Sequence, residues 1–140
     1  MNQTPDWDGL VAAATDVRAH AYAPYSRYVV GAAVLDATGR TFLGVNAENA
    51  SYGATVCAER AAIVAMVTAG GRKWHALVVV TPDGAAPCGL CRQVLVEFAE
   101  ADARVLCVAV DETRRTQYDF STLVPDWFQS DAVTPENVPL

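Results

Sequence analysis

Thr55-Val56-Cys57-Ala58-Glu59-Arg60 opens a helical run that continues to about Ala69, and Pro87-Cys88-Gly89-Leu90-Cys91-Arg92 opens a second that continues to about Ala99. The first run has hardly any polar face at Ile63, Val64, Met66 and Val67, the mark of a helix buried at the centre of a fold. Cys88 and Cys91, three residues apart, face the same way on the second. Two helix starts can therefore bring three sulfurs to one tetrahedral metal. Three protein ligands leave one coordination position open, whereas structural zinc sites are sealed by four, so the count favours chemistry over scaffolding. Glu59, two residues after Cys57, sets a carboxylate beside that open position, where it can accept a proton and pass it on.

Working outward, Tyr28 to Leu35 and Arg40 to Val45 read as extended runs around Asp36-Ala37-Thr38-Gly39, a polar, glycine-containing hairpin loop, so they are expected to pair antiparallel. The small residues Gly31-Ala32-Ala33 predict a helix or ligand lying close against that strand. Before them, Thr4 at the cap and Pro5 at the first helical position predict a helix, and Leu10, Ala13, Ala14, Val17 and Ala21 give it one inward face. Pro24 ends it. Gly70-Gly71 stops the Cys57 helix, Ala76 to Val80 is a continuous apolar strand, and Thr81-Pro82-Asp83-Gly84 breaks that strand. Arg104 to Val110 supplies a fourth strand, with Cys107 as a core residue. Thr116 to Phe120 supplies a fifth, and Ser121 to Val124 a short helical turn. Strands alternating with helices predict an α/β fold, one sheet covered on both faces, and the opening hairpin makes that sheet mixed.

The chain has 140 residues, 52% of them hydrophobic and 19% charged, which suits one domain over 1–140 with a sizeable core. No apolar run approaches the roughly 20 residues of a membrane span, and the first residues lack the basic and apolar regions of a signal peptide. A cytoplasmic protein is expected, with no membrane partner. A net charge of −6 argues against nucleic-acid backbones, which are bound through lysine and arginine. In a reducing compartment the clustered cysteines are expected on a metal rather than in disulfides. Three thiolates on a divalent ion leave a formal negative charge, so something must withdraw it: helix N-termini do part of this, and Arg60, beside Cys57, is the candidate sulfur donor, ahead of Arg92.

Cys57-Ala58-Glu59 with Pro87-Cys88-Gly89-Leu90-Cys91 is the ligand, carboxylate and Pro-Cys-x-x-Cys pattern of zinc deaminases. The chain resembles the small homotetrameric cytidine deaminases of pyrimidine salvage. The likeness runs through Tyr22-Ala23-Pro24-Tyr25-Ser26-Arg27-Tyr28, Asn46-Ala47-Glu48-Asn49-Ala50-Ser51-Tyr52-Gly53, both cysteine motifs and Leu123-Val124-Pro125-Asp126-Trp127-Phe128. The resemblance implies a three-layer α/β/α sandwich around a five-stranded mixed sheet. It implies one Zn2+ per subunit on Cys57, Cys88 and Cys91, and Glu59 as the proton shuttle. It further implies that Asn46 and Glu48 hold the ribose 3′-hydroxyl, that Tyr28 flanks the base, and that Phe128 enters a neighbouring subunit's site. The implied reaction is hydrolytic deamination of cytidine and 2′-deoxycytidine to the uridines with release of ammonia.

Two other functions fit parts of the pattern. A deaminase of another aminopyrimidine nucleoside, such as a blasticidin-type antibiotic, shares the metal motif, but the pair Asn46 and Glu48 argues for a ribose. A noncatalytic zinc-stabilised module needs a fourth ligand, for which His20 and His75 are the available histidines, and it has no use for Glu59. Both histidines read as ordinary solvated or hydrogen-bonded residues. Tyr22 and Tyr25 read as core or interface aromatics, and Asp83, Asp111, Glu112, Arg114 and Arg115 as exposed loop charges.

Overall fold

A computed structural model describes residues 4–130; residues 1–3 and 131–140 of the expected domain lie outside the described residues. Helix α1, Trp7–Val17, continues as a 3-10 turn over Arg18–His20. It is capped by Asp6, whose carboxylate accepts from the Gly9 amide at 3.0 Å, and not by Thr4. Aspartate is the stronger cap, and Pro5 is left just ahead of it rather than in the first turn.

Strands β1, Gly31–Asp36, and β2, Thr41–Val45, form the expected antiparallel hairpin. At its turn the Asp36 carboxylate accepts from the Thr38 and Arg40 amides and from both of their side chains, and its Oδ2 lies 2.9 Å from Arg40 Nη2. Burial works to raise the pKa of Asp36, but those donors outweigh it and hold the carboxylate below its ordinary range.

β1 is shorter at its start than the apolar run from Tyr28 suggests. The backbone at Tyr28 and Val30 bonds to a side chain instead of a strand: Asn46 Oδ1 accepts from the Val30 amide at 2.9 Å, and Asn46 Nδ2 donates to the Tyr28 carbonyl at 2.7 Å. Arg27, with φ of 60°, turns the chain just before this segment.

The remaining elements are α2, Ala58–Thr68; β3, Trp74–Thr81; α3, Gly89–Phe98; β4, Ala99–Ala109; β5, Arg115–Asp119; and a 3-10 turn over Phe120–Leu123. They build one sheet in the order β2-β1-β3-β4-β5. β3 and β4 run parallel, connected through α3, and every other pair is antiparallel, so the sheet is mixed. β4 begins five residues earlier than the apolar pattern indicates, because Trp74 pairs with Ala99 while Ala76 pairs with Arg104. Two steps along β3 thus match five along β4, and the surplus bulges out as Glu100 to Ala103.

The alternation of β3 explains the three layers. Ala76, Val78 and Val80 pack with Leu10, Ala14 and Ala33 beneath α1, while Leu77 and Val79 pack with Ala62, Ile63, Met66 and Leu95 beneath α2 and α3. All eight residues of β3 are buried, as a central strand covered on both faces requires. Close approach needs missing side chains: a Cβ on Gly31 would overlap the Ala14 carbonyl of α1, and one on Gly44 would overlap the Ala58 carbonyl and Ala62 amide of α2. The small residues of β1 thus mark a helix on the sheet, as the sequence suggests. Trp74 anchors the other end of this layer, with Nε1 donating to the Leu95 carbonyl at 2.8 Å and its ring set edge-on to Phe120.

Candidate metal centre

The two helices deliver their N-termini to one point. Cys57 is the N-cap of α2 and Cys88 the N-cap of α3, both in extended backbone conformation, and Cys91 follows in the first turn of α3. Their sulfurs all lie within 4.8 Å of one another, and Cys57 Sγ is 3.9 Å from Cys88 Sγ. Zinc–sulfur bonds of about 2.3 Å meeting at the tetrahedral angle set sulfurs about 3.8 Å apart. The donor set and the Cys57–Cys88 spacing therefore fit zinc. Neither histidine completes the set: His20 is exposed beyond α1, and His75 is at the far end of β3 with Glu100 and Asp102.

The charges are arranged for a cation. Cys57 is held down to about 5, first by the hydrogen bond from Cys91 and then by Arg60 and Cys88. Cys91 is pushed up, by donating that bond and by burial beside Glu59. A cluster in which one thiolate retains its neighbour's proton is one that a divalent ion can deprotonate throughout. Arg60 Nη2 sits 3.6 Å from Cys57 Sγ and donates to the Thr55 carbonyl at 3.0 Å, which places the expected sulfur donor. Arg92 is directed elsewhere, with Nε donating to the Pro87 carbonyl and Nη1 to the Leu123 carbonyl. Replacing Arg60 with alanine is expected to weaken zinc binding about 10- to 100-fold. Competition with a chromogenic chelator measures this, and unchanged affinity would remove Arg60 from the metal's support.

Glu59, in the first turn of α2, is buried to 6% exposure, with Oε2 3.7 Å from Cys91 Sγ. Burial pushes its carboxyl above the ordinary carboxylate range, and the charge on Cys57 adds to this. A buried carboxyl raised in this way beside the cluster is placed to exchange protons there.

Above the cysteines opens a cleft of about 250 Å³ lined by Tyr28, Asn46, Glu48, Cys57, Glu59 and Cys88 among others. A larger cavity of about 420 Å³ lies near His75, Asp102 and Asp119 at the opposite end of β3, and contains no cysteine. Six of the expected site residues thus share one cleft. Asn46 has one amide hydrogen and one carbonyl lone pair left after closing the lead into β1. The Glu48 carboxylate accepts from the Tyr25 and Ser26 amides and from Ser26 Oγ, and these bonds hold it below its ordinary range. Phe128 does not line this cleft; the residue is 79% exposed, and its carbonyl accepts from Gln93 Nε2. Tyr22 and Tyr25 are also exposed, so the core reading fails for both.

Sequence reasoning missed Thr81, Asp83, Ala85 and Ala86. Asp83, read as a loop charge, accepts from the Tyr28 hydroxyl, and the other three line the cleft. The available signal was position, since residues just past the carboxyl end of a central strand commonly face the ligand in α/β sheets.

A sequence profile of the "Cytidine and deoxycytidylate deaminase zinc-binding region" matches residues 6–115. The cytidine deaminase of Mycobacterium tuberculosis is 41% identical over 133 residues, covering 94% of this chain and 96% of its own length. The chain belongs to the cytidine deaminase family. A probable cytidine deaminase of Dictyostelium discoideum is 39% identical over 136 residues, covering 94% of this chain and 88% of its own. The crystal structure of cytidine deaminase from Burkholderia pseudomallei matches the fold with a TM-score of 0.83 at 38% identity, over 89% of this chain and all of the other. The cysteine cluster is accordingly a family zinc-binding region. The segment around Phe128 lies beyond the residues matched by the profile.

Proposed function

We infer that this protein is a hydrolase that deaminates cytidine, and 2′-deoxycytidine with it, to the corresponding uridine and ammonia. The observation that carries this reading is a buried carboxylate, Glu59, adjoining three cysteines with metal-ligand geometry on the floor of an open cleft. Cys57, Cys88 and Cys91 would hold the zinc, which when bound would acidify a water from a pKa of about 15.7 towards 7. Glu59 takes a proton from the attacking water and delivers it to N3 of the cytosine. Glu59 then moves the remaining proton of the added C4 hydroxyl to the amino group, so that the C4–N bond breaks, ammonia leaves and the C4 carbonyl of uridine forms. Asn46 and Glu48 hold the ribose 3′-hydroxyl with their remaining hydrogen-bonding capacity, and the ring of Tyr28 flanks the base.

Ammonia release from a panel of cytidine, 2′-deoxycytidine, adenosine and a blasticidin-type nucleoside tests the assignment. Release from the cytosine nucleosides alone is expected. Turnover restricted to the antibiotic would move the activity to the other aminopyrimidine class, and no release from any would leave a zinc-binding module.

The reading includes a single deaminase domain spanning 1–140, working in the cytoplasm, where thiolates remain reduced. It also includes a homotetramer with shared sites. Exposed Phe128, outside its own chain's cleft, supports the sharing. If Phe128 enters a neighbour's site, mixing Glu59→Ala with Phe128→Ala chains rebuilds both wild-type residues at roughly a quarter of sites. Activity above the sum of the two parents is the expected result, given that Phe128→Ala alone is clearly impaired. Confirmed mixed oligomers without such a gain would return Phe128 to its own chain.

A further inference from the structure

Tyr28 ties together three parts of the cleft. Its amide donates to Ser26 Oγ at 3.0 Å, on the wall that Glu48 also holds, and its carbonyl accepts from Asn46. Its hydroxyl donates to Asp83 Oδ1 at 2.5 Å, across 55 residues of sequence. Asp83 belongs to a closed turn at the end of β3. Its Oδ1 also accepts from Thr81 Oγ1 and the Ala85 amide, while Thr81 Oγ1 accepts from the Gly84 and Ala85 amides. Ala85 and Ala86 line the cleft, and two residues on the chain reaches Cys88. The phenol is therefore joined to the loop that carries one of the cysteines, and its hydroxyl is already engaged within the protein.

We propose that Tyr28 and Asp83 form a positioning clasp that holds the aromatic wall of the cleft against the loop leading to Cys88 and so sets the width of the slot for the pyrimidine ring. The proposal rests on the function inferred above. A hydrogen bond to an ionised carboxylate is short and directional, so it fixes both the ring's rotation and its distance from the loop. Asp83 is exposed, and the contact adds little to global stability. Its effect lies in binding of the base, because a wall already held in place does not have to be ordered when the ring enters.

The wall contacts the base before and during reaction alike, so loosening it removes binding common to ground and transition states. In zinc-loaded full-length protein, Tyr28→Phe and Asp83→Ala are each expected to raise KM for cytidine about 10-fold while kcat stays within about 2-fold. The double variant is expected to be no worse than the poorer single, because both remove one contact. Asp83→Asn, which keeps an acceptor, is expected to restore most of the loss. A wider slot should also raise kcat/KM for 5-methylcytidine relative to cytidine in both single variants, a change that general loss of structure does not produce.

Additive effects in the double variant, or a wild-type KM in Tyr28→Phe, would overturn the clasp. The second result would leave Asp83 acting only through Thr81 and Ala85. Wild-type activity on cytidine is measured first, and its absence overturns the functional reading rather than the contact. The amide NMR signals of Ala85 and Ala86 then decide: displacement of both in Tyr28→Phe supports the clasp, and unmoved signals reject it.

Discussion

Glu59→Ala protein is expected to bind about one zinc per chain and to turn cytidine over roughly 100- to 10,000-fold more slowly than wild type. The reason for intact binding is geometric: the three sulfurs surround the metal position on their own, and Glu59 reaches Cys91 Sγ only at 3.7 Å. The reason for lost turnover is that no other carboxylate among the described residues lines the cleft beside the cysteines. Glu48, the other acid there, is bound to Ser26 and Tyr25 on the wall. Glu59→Gln is the companion variant, because it preserves the volume of a buried side chain while removing the proton exchange. Elemental analysis and ammonia release are read on the same samples. Loss of zinc together with activity would make Glu59 a ligand and end its role as proton carrier.

Cys91→Ala has a different signature, in which zinc falls well below one per chain and ammonia release drops to background. Cys91 is fully buried within the cluster, so its removal strips a ligand from the side of the metal position that α3's first turn covers with Cys88. Because metal binding to a folded site adds to folding free energy, the variant's melting temperature should match that of wild type stripped by a chelator. Restoring zinc should raise the wild-type value and leave the variant unmoved. A Cys91→Ala protein that still holds one zinc would place the ion elsewhere, and His75 with Glu100 and Asp102 is the other ligand cluster among the described residues.

The metal cluster, its carboxylate and the helices that carry them were legible because their determinants are local. Cys88 and Cys91 share a helical turn, Cys57 and Glu59 share another, and Arg60 is three residues from the sulfur it meets. Strand polarity was legible for a similar reason, since the Asp36 turn forces antiparallel pairing and a helix between strands permits parallel pairing. Boundaries were less legible wherever a side chain replaced a strand's partner or a bulge lengthened it. The apolar run from Tyr28 is extended, but Asn46 holds its backbone, and Glu100 to Ala103 join β4 although their composition gives no strand signal.

By itself the sequence determined the layer pattern, the three-cysteine cluster, the carboxylate beside it and the donor to Cys57, because helical and strand periodicity and ligand spacing act within a few residues. Only the tertiary structure decided which side chains face each other across the cleft. It turned Asn46 onto the lead into β1, held Glu48 against Ser26, joined Tyr28 to Asp83 and left Phe128 exposed outside its own cleft. Those contacts join segments 18 to 55 residues apart. Their geometry follows from how the β2-β1-β3 sheet and its two helix layers pack, and no periodicity along the chain encodes it.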